Sequence, residues 1–138
     1  MKIFSKSTAI VTLLLVVGSV FQGCKKYEEG PMISFKSRTE RVSNTWKIDN
    51  YKINGSDYTS LMGSYDETFT NKGAYSYNWG LISGSGKWEF QNRDKEIKLN
   101  GIEEQSSHTL SILKLEENAF WYYYMKDGDR HEFHLISK

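Results

Sequence analysis

The sequence predicts an all-β domain, an eight-stranded antiparallel up-and-down barrel, with a β-sandwich as the alternative. Three observations lead to this prediction. From Asn44 onward, apolar and polar residues alternate with the period of two that is typical of half-buried strands. Turn-forming Gly, Asn and Asp recur at short intervals. The connections are mostly shorter than the dozen or so residues that a parallel crossover needs, so neighbouring strands should be antiparallel. Closure into a barrel would remove the exposed sheet edges.

The predicted strands follow one another closely along the chain. They cover residues 45–53, 64–70, 74–79, 87–91, 96–100, 107–115, 119–125 and 130–137. The apolar residues change face once within the first strand and once within the sixth, and each change predicts a β-bulge or a sharp bend. Residues 54–57 and 83–86 are rich in Gly and Ser, which predicts a turn and a loop.

A short helical turn should precede the strands. The run Ser37-Arg38-Thr39-Glu40 fits a capping box that opens a turn ending near Ser43. Its apolar residues, Ile33, Phe35 and Val42, should close one end of the core. Residues 120–124 are apolar on both faces, so this strand should be covered on its outer side by the helical turn or by a partner.

The N-terminus has the pattern of a secretory signal. Lys2 and Lys6 precede thirteen uncharged residues, 9–21, which are too few for a bilayer-spanning helix of about 20 residues. The run Phe21-Gln22-Gly23-Cys24 resembles the lipobox of bacterial lipoproteins. The resemblance implies that residues 1–23 are removed and that Cys24 is acylated, for example with palmitate. The alternative is an ordinary secreted protein with one thiol.

The same resemblance predicts a lipid anchor in the outer membrane of a Gram-negative envelope, with the protein facing the periplasm or the cell surface. Residues 24–32 would be the tether and residues 33–138 the domain. Lys26-Tyr27-Glu28-Glu29 also resembles the surface-export signal of some Gram-negative lipoproteins, although such a run can be a plain solvated linker. Removal of residues 1–23 leaves 16 basic and 17 acidic side chains, and this balance gives no indication of nucleic-acid binding.

The domain itself resembles small lipocalin-like lipoproteins. The resemblance covers about residues 42–137 and depends on a tryptophan that opens the first strand, an aromatic strand after Asn71-Lys72-Gly73, and the runs Gly86-Lys87-Trp88-Glu89-Phe90 and Glu96-Ile97-Lys98-Leu99. It implies that the barrel binds a small apolar or amphipathic ligand. The alternative is an accessory interaction module that docks on a protein partner or a surface glycan through exposed aromatic residues.

One carboxylate interrupts an apolar face of a predicted strand. Glu67 lies between Tyr65 and Phe69, so it either orients a ligand as a polar group or reaches water at a bulge or strand end. The inward aromatic residues either line a ligand cavity or fill the barrel, and the small size of the domain favours filling. These candidate ligand-binding residues are Tyr75, Tyr77, Trp79, Trp88, Phe90, Tyr122 and Tyr124.

The sequence carries no pattern of catalytic or metal-binding residues. His131 and His134 are separated by an odd number of residues, which places them on opposite faces of a strand, and His108 is on another strand. Zinc requires three or four converging ligands, so surface or turn positions are the better interpretation of the histidines. Gly84-Ser85-Gly86 lacks the spacing of a nucleophile elbow. We therefore predict no enzyme activity, no metal and no cofactor.

Overall fold

The computed structural model describes residues 27–28, 34–102 and 106–138. The predicted signal peptide, Cys24 and most of the predicted tether therefore lie outside the described residues. The helices and strands are α1 (Arg38–Val42), β1 (Thr45–Ile53), β2 (Ser56–Asp57), a 3₁₀ helix (Thr59–Met62), β3 (Tyr65–Phe69), β4 (Ala74–Trp79), β5 (Ile82–Gln91), β6 (Glu96–Ile102), β7 (Ser106–Leu115), β8 (Ala119–Lys126) and β9 (Asp129–Ser137).

The strands form one closed antiparallel barrel. Each of the strands from β3 to β9 pairs with its neighbour in the sequence, β3 also pairs with β1, and β1 pairs with β9 to close the sheet. The two-residue β2 pairs only with the end of β1, so the barrel itself has eight strands. The prediction of an all-β, eight-stranded up-and-down barrel is confirmed. Residues 56 and 57, predicted as part of a turn, instead form the return arm of a tight hairpin.

Both predicted bulges are present. In β1 the pairing with β9 shifts between Ile48 and Asn50, and in β7 the pairing with β8 shifts between Ile112 and Lys114. The bulge in β1 allows Trp46 and Tyr51 to be buried together although five positions separate them. In a regular strand this odd separation would place the two side chains on opposite faces.

The prediction of a loop at residues 83–86 is wrong, because β5 begins at Ile82. Gly84 pairs with Tyr77 and Gly86 with Tyr75 in the β4–β5 ladder. A Cβ atom placed on Gly84 would overlap the ring of Tyr77, and one on Gly86 would overlap the backbone oxygen of Asn100. Here glycine permits close approach within a strand and does not interrupt it.

Helix α1 closes one end of the barrel. Its predicted capping box is formed: the Ser37 side chain accepts a hydrogen bond from the Glu40 backbone N–H, and the Glu40 carboxylate accepts one from the Ser37 backbone N–H. Val42 is fully buried, and its carbonyl accepts a hydrogen bond of 2.9 Å from Trp46 Nε1. Phe35 is fully exposed, so its predicted place in the lid is wrong, and Ile33 lies outside the described residues.

Tyr27, which lies within the predicted tether, is buried at this same end. Its hydroxyl donates a hydrogen bond of 2.9 Å to the backbone carbonyl of Asp94, in the turn between β5 and β6. Arg38 forms an ion pair with the Asp94 carboxylate, and Arg41 donates to the Leu115 carbonyl at 2.9 Å. Burial raises the pKa of Tyr27 to about 12. These contacts seal this end of the barrel, which we call the sealed end.

Polar side chains cover the outer face of β8. Trp121 stacks on His134 with ring centroids 4.0 Å apart, and Lys114 Nζ lies 4.0 Å from the centre of the Trp121 ring. The guanidinium of Arg130 lies 3.9 Å from the centre of the Tyr123 ring. The expectation that the helical turn covers this strand is therefore wrong. Long charged side chains lie over its aromatic surface, as their apolar stems allow.

Candidate functional site

The interior of the barrel has a filled half and a hollow half. Near the sealed end, the Phe69 ring contacts Trp88 and Phe120 edge-on, with centroid distances of 5.9 and 5.6 Å. Toward the other end the barrel encloses a cavity of about 270 Å³. Its lining includes Trp79 and Ile82, which flank the β4–β5 turn and are partly exposed, so the cavity opens there. We call this opening the mouth.

The wall of the cavity is mainly aromatic. The aromatic lining residues are Tyr51, Tyr65, Tyr75, Tyr77, Trp79, Tyr122, Tyr124 and Phe133. Aliphatic side chains, among them Leu99 and Leu110, complete the wall, and His108 and Lys126 also reach the lining. A concave aromatic surface with a few polar groups is the usual composition of a small-molecule site.

Five of the predicted candidate residues line this cavity: Tyr75, Tyr77, Trp79, Tyr122 and Tyr124. Trp88 and Phe90 do not. Their rings contact each other edge-on at 5.3 Å in the filled half, and Trp88 Nε1 donates to the Thr70 carbonyl at 2.8 Å. Period two correctly predicted that Trp88 points inward. The alternation does not show whether an inward side chain lies in the filled half or in the hollow half of the barrel.

Glu67 lies beneath the cavity and is fully buried. The hydroxyls of Tyr65, Tyr75 and Tyr122 all donate to its Oε2 atom, at 2.9, 2.8 and 3.3 Å. Its Oε1 atom has no hydrogen-bond partner among the described residues. The strand is regular at this point, with Glu67 opposite Tyr77 on β4. The interpretation of Glu67 as a bulge or strand-end residue that reaches water is therefore wrong.

The surroundings shift the ionisation of this carboxyl strongly. Burial, opposed by the three tyrosine hydrogen bonds, raises the pKa of Glu67 to about 7. Burial, together with the charge of Glu67, raises the pKa of Tyr65, Tyr75 and Tyr122 well above 10. The three phenols therefore remain protonated hydrogen-bond donors, and Glu67 is the group of this cluster that titrates near neutral pH.

The strand register explains why this cluster assembles. On β3, Tyr65 and Glu67 point inward because they are two residues apart, and β4 presents Tyr75 and Tyr77 on the same face. Tyr122 comes from β8, on the far side of the barrel interior. Only closure of the barrel brings it within hydrogen-bond distance of Glu67.

Two of the histidines lie inside the barrel. His108 lines the cavity, and His131 Nδ1 lies 2.7 Å from the Tyr51 hydroxyl while its ring stacks on Tyr124 at 5.1 Å. The expectation of surface or turn positions is wrong for these two. His134 lies on the outer face against Trp121, so the prediction of opposite faces for His131 and His134 is confirmed. Within the described residues, no group of three His, Cys, Asp or Glu side chains could hold a metal ion.

Sequence reasoning missed several lining residues. Tyr51 on β1 and Phe133 on β9 pack with tilted rings whose centroids are 4.7 Å apart. These two strands meet only when the barrel closes. Tyr65 shares the face of Glu67, and this shared face was the signal that could have identified it. Ile82 was missed because the start of β5 was predicted as a loop.

The fold and the cavity define a closed eight-stranded barrel of a kind compatible with a lipocalin-like ligand-binding protein. Among the described residues, no helix is long and apolar enough to cross a membrane.

Comparison with family models gave no match, and comparison with curated proteins gave none. Among solved structures, the chain is similar to a DUF4847 family protein from Bacteroides vulgatus ATCC 8482. The two share 10% sequence identity with a TM-score of 0.48, over 71% of this chain and 94% of that one.

Proposed function

We propose that the protein is a lipocalin-like lipoprotein that binds a small apolar or amphipathic molecule inside its barrel. The observation that supports this function is the aromatic cavity that opens at the mouth. Its volume of about 270 Å³ is just below the range of ligand pockets, which begins near 300 Å³. The ligand is therefore small, and aromatic rings cover most of its apolar surface.

The position of Tyr27 supports an orientation for the anchored protein. Cys24 precedes Tyr27 by three residues, which can span at most about 11 Å. Because Tyr27 is buried at the sealed end, acyl chains on Cys24 would hold this end close to the bilayer. The mouth would then face away from the anchoring membrane, and the ligand would enter from the aqueous side.

A second function is favoured by the rim of the mouth. Leu61, Leu81 and Ile82 are each more than half exposed there, and Trp79 is 41% exposed. Exposed apolar residues in one region often mark an interaction site. The second candidate is thus an accessory module whose mouth docks on a partner protein or a surface glycan.

Native mass spectrometry of the protein purified from its own cells distinguishes the two functions. We expect a one-to-one adduct of a small molecule that is lost on denaturation, because the aromatic cavity retains it during purification. A protein of unadducted mass, or a stoichiometric protein partner with no small-molecule adduct, would exclude the cavity-binding function. The latter result would support the docking module.

The anchor is tested separately with Cys24→Ser. We expect wild-type protein in the detergent phase of a Triton X-114 separation, since durable attachment requires more than one acyl chain. The variant should keep residues 1–23 and carry no acyl chain, which the intact mass of the protein measures. A variant that is still cleaved and still enters the detergent phase would refute the lipoprotein assignment.

A further inference from the structure

We propose that the ligand carries a positively charged amine or quaternary ammonium group, which lies against the tyrosine rings above Glu67. This inference depends on the proposed function, because it names the chemical class of the molecule in the same cavity. It follows from the environment of one buried carboxylate and from the composition of the wall in front of it.

The charge of Glu67 is incompletely compensated inside the protein. Its Oε2 atom accepts three phenol hydrogen bonds, whereas Oε1 has no partner in the part of the chain that the structure describes. Among the residues that the structure describes, no cationic side chain is a hydrogen-bond or electrostatic partner of Glu67. Burial of a carboxylate without a countercharge is costly, and burial accordingly raises the pKa of Glu67 to about 7. A ligand cation in the cavity would supply the missing countercharge.

The wall between Glu67 and the cavity favours a cation over a neutral or anionic group. Tyr65, Tyr75 and Tyr122 each line the cavity and each donate their hydroxyl hydrogen to Glu67. Because these hydroxyl hydrogens are already donated, the phenols present only oxygen lone pairs and electron-rich ring faces to a ligand. Aromatic faces in a desolvated site attract ammonium groups. The nearly parallel rings of Tyr122 and Phe133, 5.1 Å apart, extend this surface.

The basic side chains near the cavity, Lys126, His108 and His131, lie toward the mouth. Lys126 is exposed and follows Tyr122 by four residues on β8, which corresponds to roughly 13 Å along the strand. This distance exceeds the Debye length of about 8 Å at physiological salt. His108 on β7 and His131 on β9 face Tyr124, two residues closer to the mouth than Tyr122. The floor is therefore the negative part of the cavity, and the ligand cation should lie there.

The inference is tested with a pair of probes of the same shape. Benzyltrimethylammonium is the cation, and neopentylbenzene, in which carbon replaces the nitrogen, is its neutral counterpart. Binding is measured by NMR shift perturbation on the ligand-free protein that lacks residues 1–24. We expect the cation to bind at least about tenfold more tightly than the neutral probe at pH 8. Its affinity should fall about tenfold from pH 8 to pH 6, because protonation of Glu67 competes with it.

Two variants assign the effect to Glu67. Glu67→Gln keeps the size and removes the charge, so the preference for the cation should fall to what the aromatic faces alone provide, and the part of the pH dependence that Glu67 causes should disappear. Glu89→Gln is the matched control, since Glu89 is an exposed residue on the outer face of β5, and it should behave as wild type. The preference of wild type for the cation over the neutral probe tests the inference even if Glu67→Gln folds poorly.

The outcomes separate this inference from the proposed function. Equal affinity for the two probes, or a cation preference that Glu67→Gln leaves unchanged, would overturn the inference while leaving ligand binding intact. If neither probe bound, the inference would also be overturned. Native mass spectrometry then decides independently whether the cavity binds any molecule.

Discussion

Replacement of Trp88 by alanine is expected to lower the free energy of unfolding by about 3–5 kcal/mol. Trp88 is buried in the filled half of the barrel, where its ring contacts Phe69 and Phe90 edge-on. Truncation would leave a cavity among these rings. It would also remove the hydrogen bond that Trp88 Nε1 donates to the Thr70 carbonyl. The loss is a large share of the stability of a domain of this size.

Urea unfolding of the domain that lacks residues 1–24 measures this loss. Glu89→Gln, on the opposite face of the same strand, is the control and should stay within about 0.5 kcal/mol of wild type. A Trp88→Ala midpoint close to that of wild type would show that β5 does not direct Trp88 into the core.

The ligand-free protein is expected to lose about 3 kcal/mol of unfolding free energy between pH 4.5 and pH 8 through Glu67 alone. The pKa of Glu67 is about 7 in the folded protein, against an ordinary value of 4.5. The folded state therefore binds this proton more tightly than the unfolded chain does. The stabilisation is fully present below pH 4.5 and disappears as the pH rises through 7.

Comparison with Glu67→Gln isolates this effect from the other titrating groups. Hydrogen bonds lower the pKa values of Asp57, Asp66 and Glu132. These groups therefore stabilise the folded protein at neutral pH, and this stabilisation is lost as the pH falls below about 4. The difference in stability between wild type and variant should thus change steadily from pH 5 to pH 8. A difference that stays constant over this range would show that Glu67 has an ordinary pKa.

The sequence was sufficient to predict the local features of the fold. Period two defines the inward face of each strand, and the phase changes in β1 and β7 located both bulges. The capping box at Ser37 and Glu40 was predictable because hydrogen bonds between residues three apart require no information from elsewhere in the chain. The short connections then left little alternative to antiparallel pairing.

Features that depend on contacts between distant strands were not predictable in the same way. The Ser and Gly residues at 83–86 indicated a loop, whereas Gly84 pairs with Tyr77 within β5. The ring of Tyr77 lies so close to Gly84 that a Cβ atom there would overlap it. Nothing in the sequence near Glu67 indicates that Tyr122, 55 residues later, donates a hydrogen bond to it. Likewise, the alternation around Trp88 and Tyr75 is the same, although the first residue fills the barrel and the second lines the cavity.

Ligand binding in the barrel is tested most directly by native mass spectrometry of wild-type protein and Leu99→Trp, both purified from the organism's own cells. Leu99 is buried and lines the cavity, so the larger indole would occupy the space that the ligand uses. Circular dichroism first confirms that the variant is folded. We expect a small-molecule adduct on wild type and none on Leu99→Trp. An equal adduct on both proteins, or none on either, would contradict binding in this cavity.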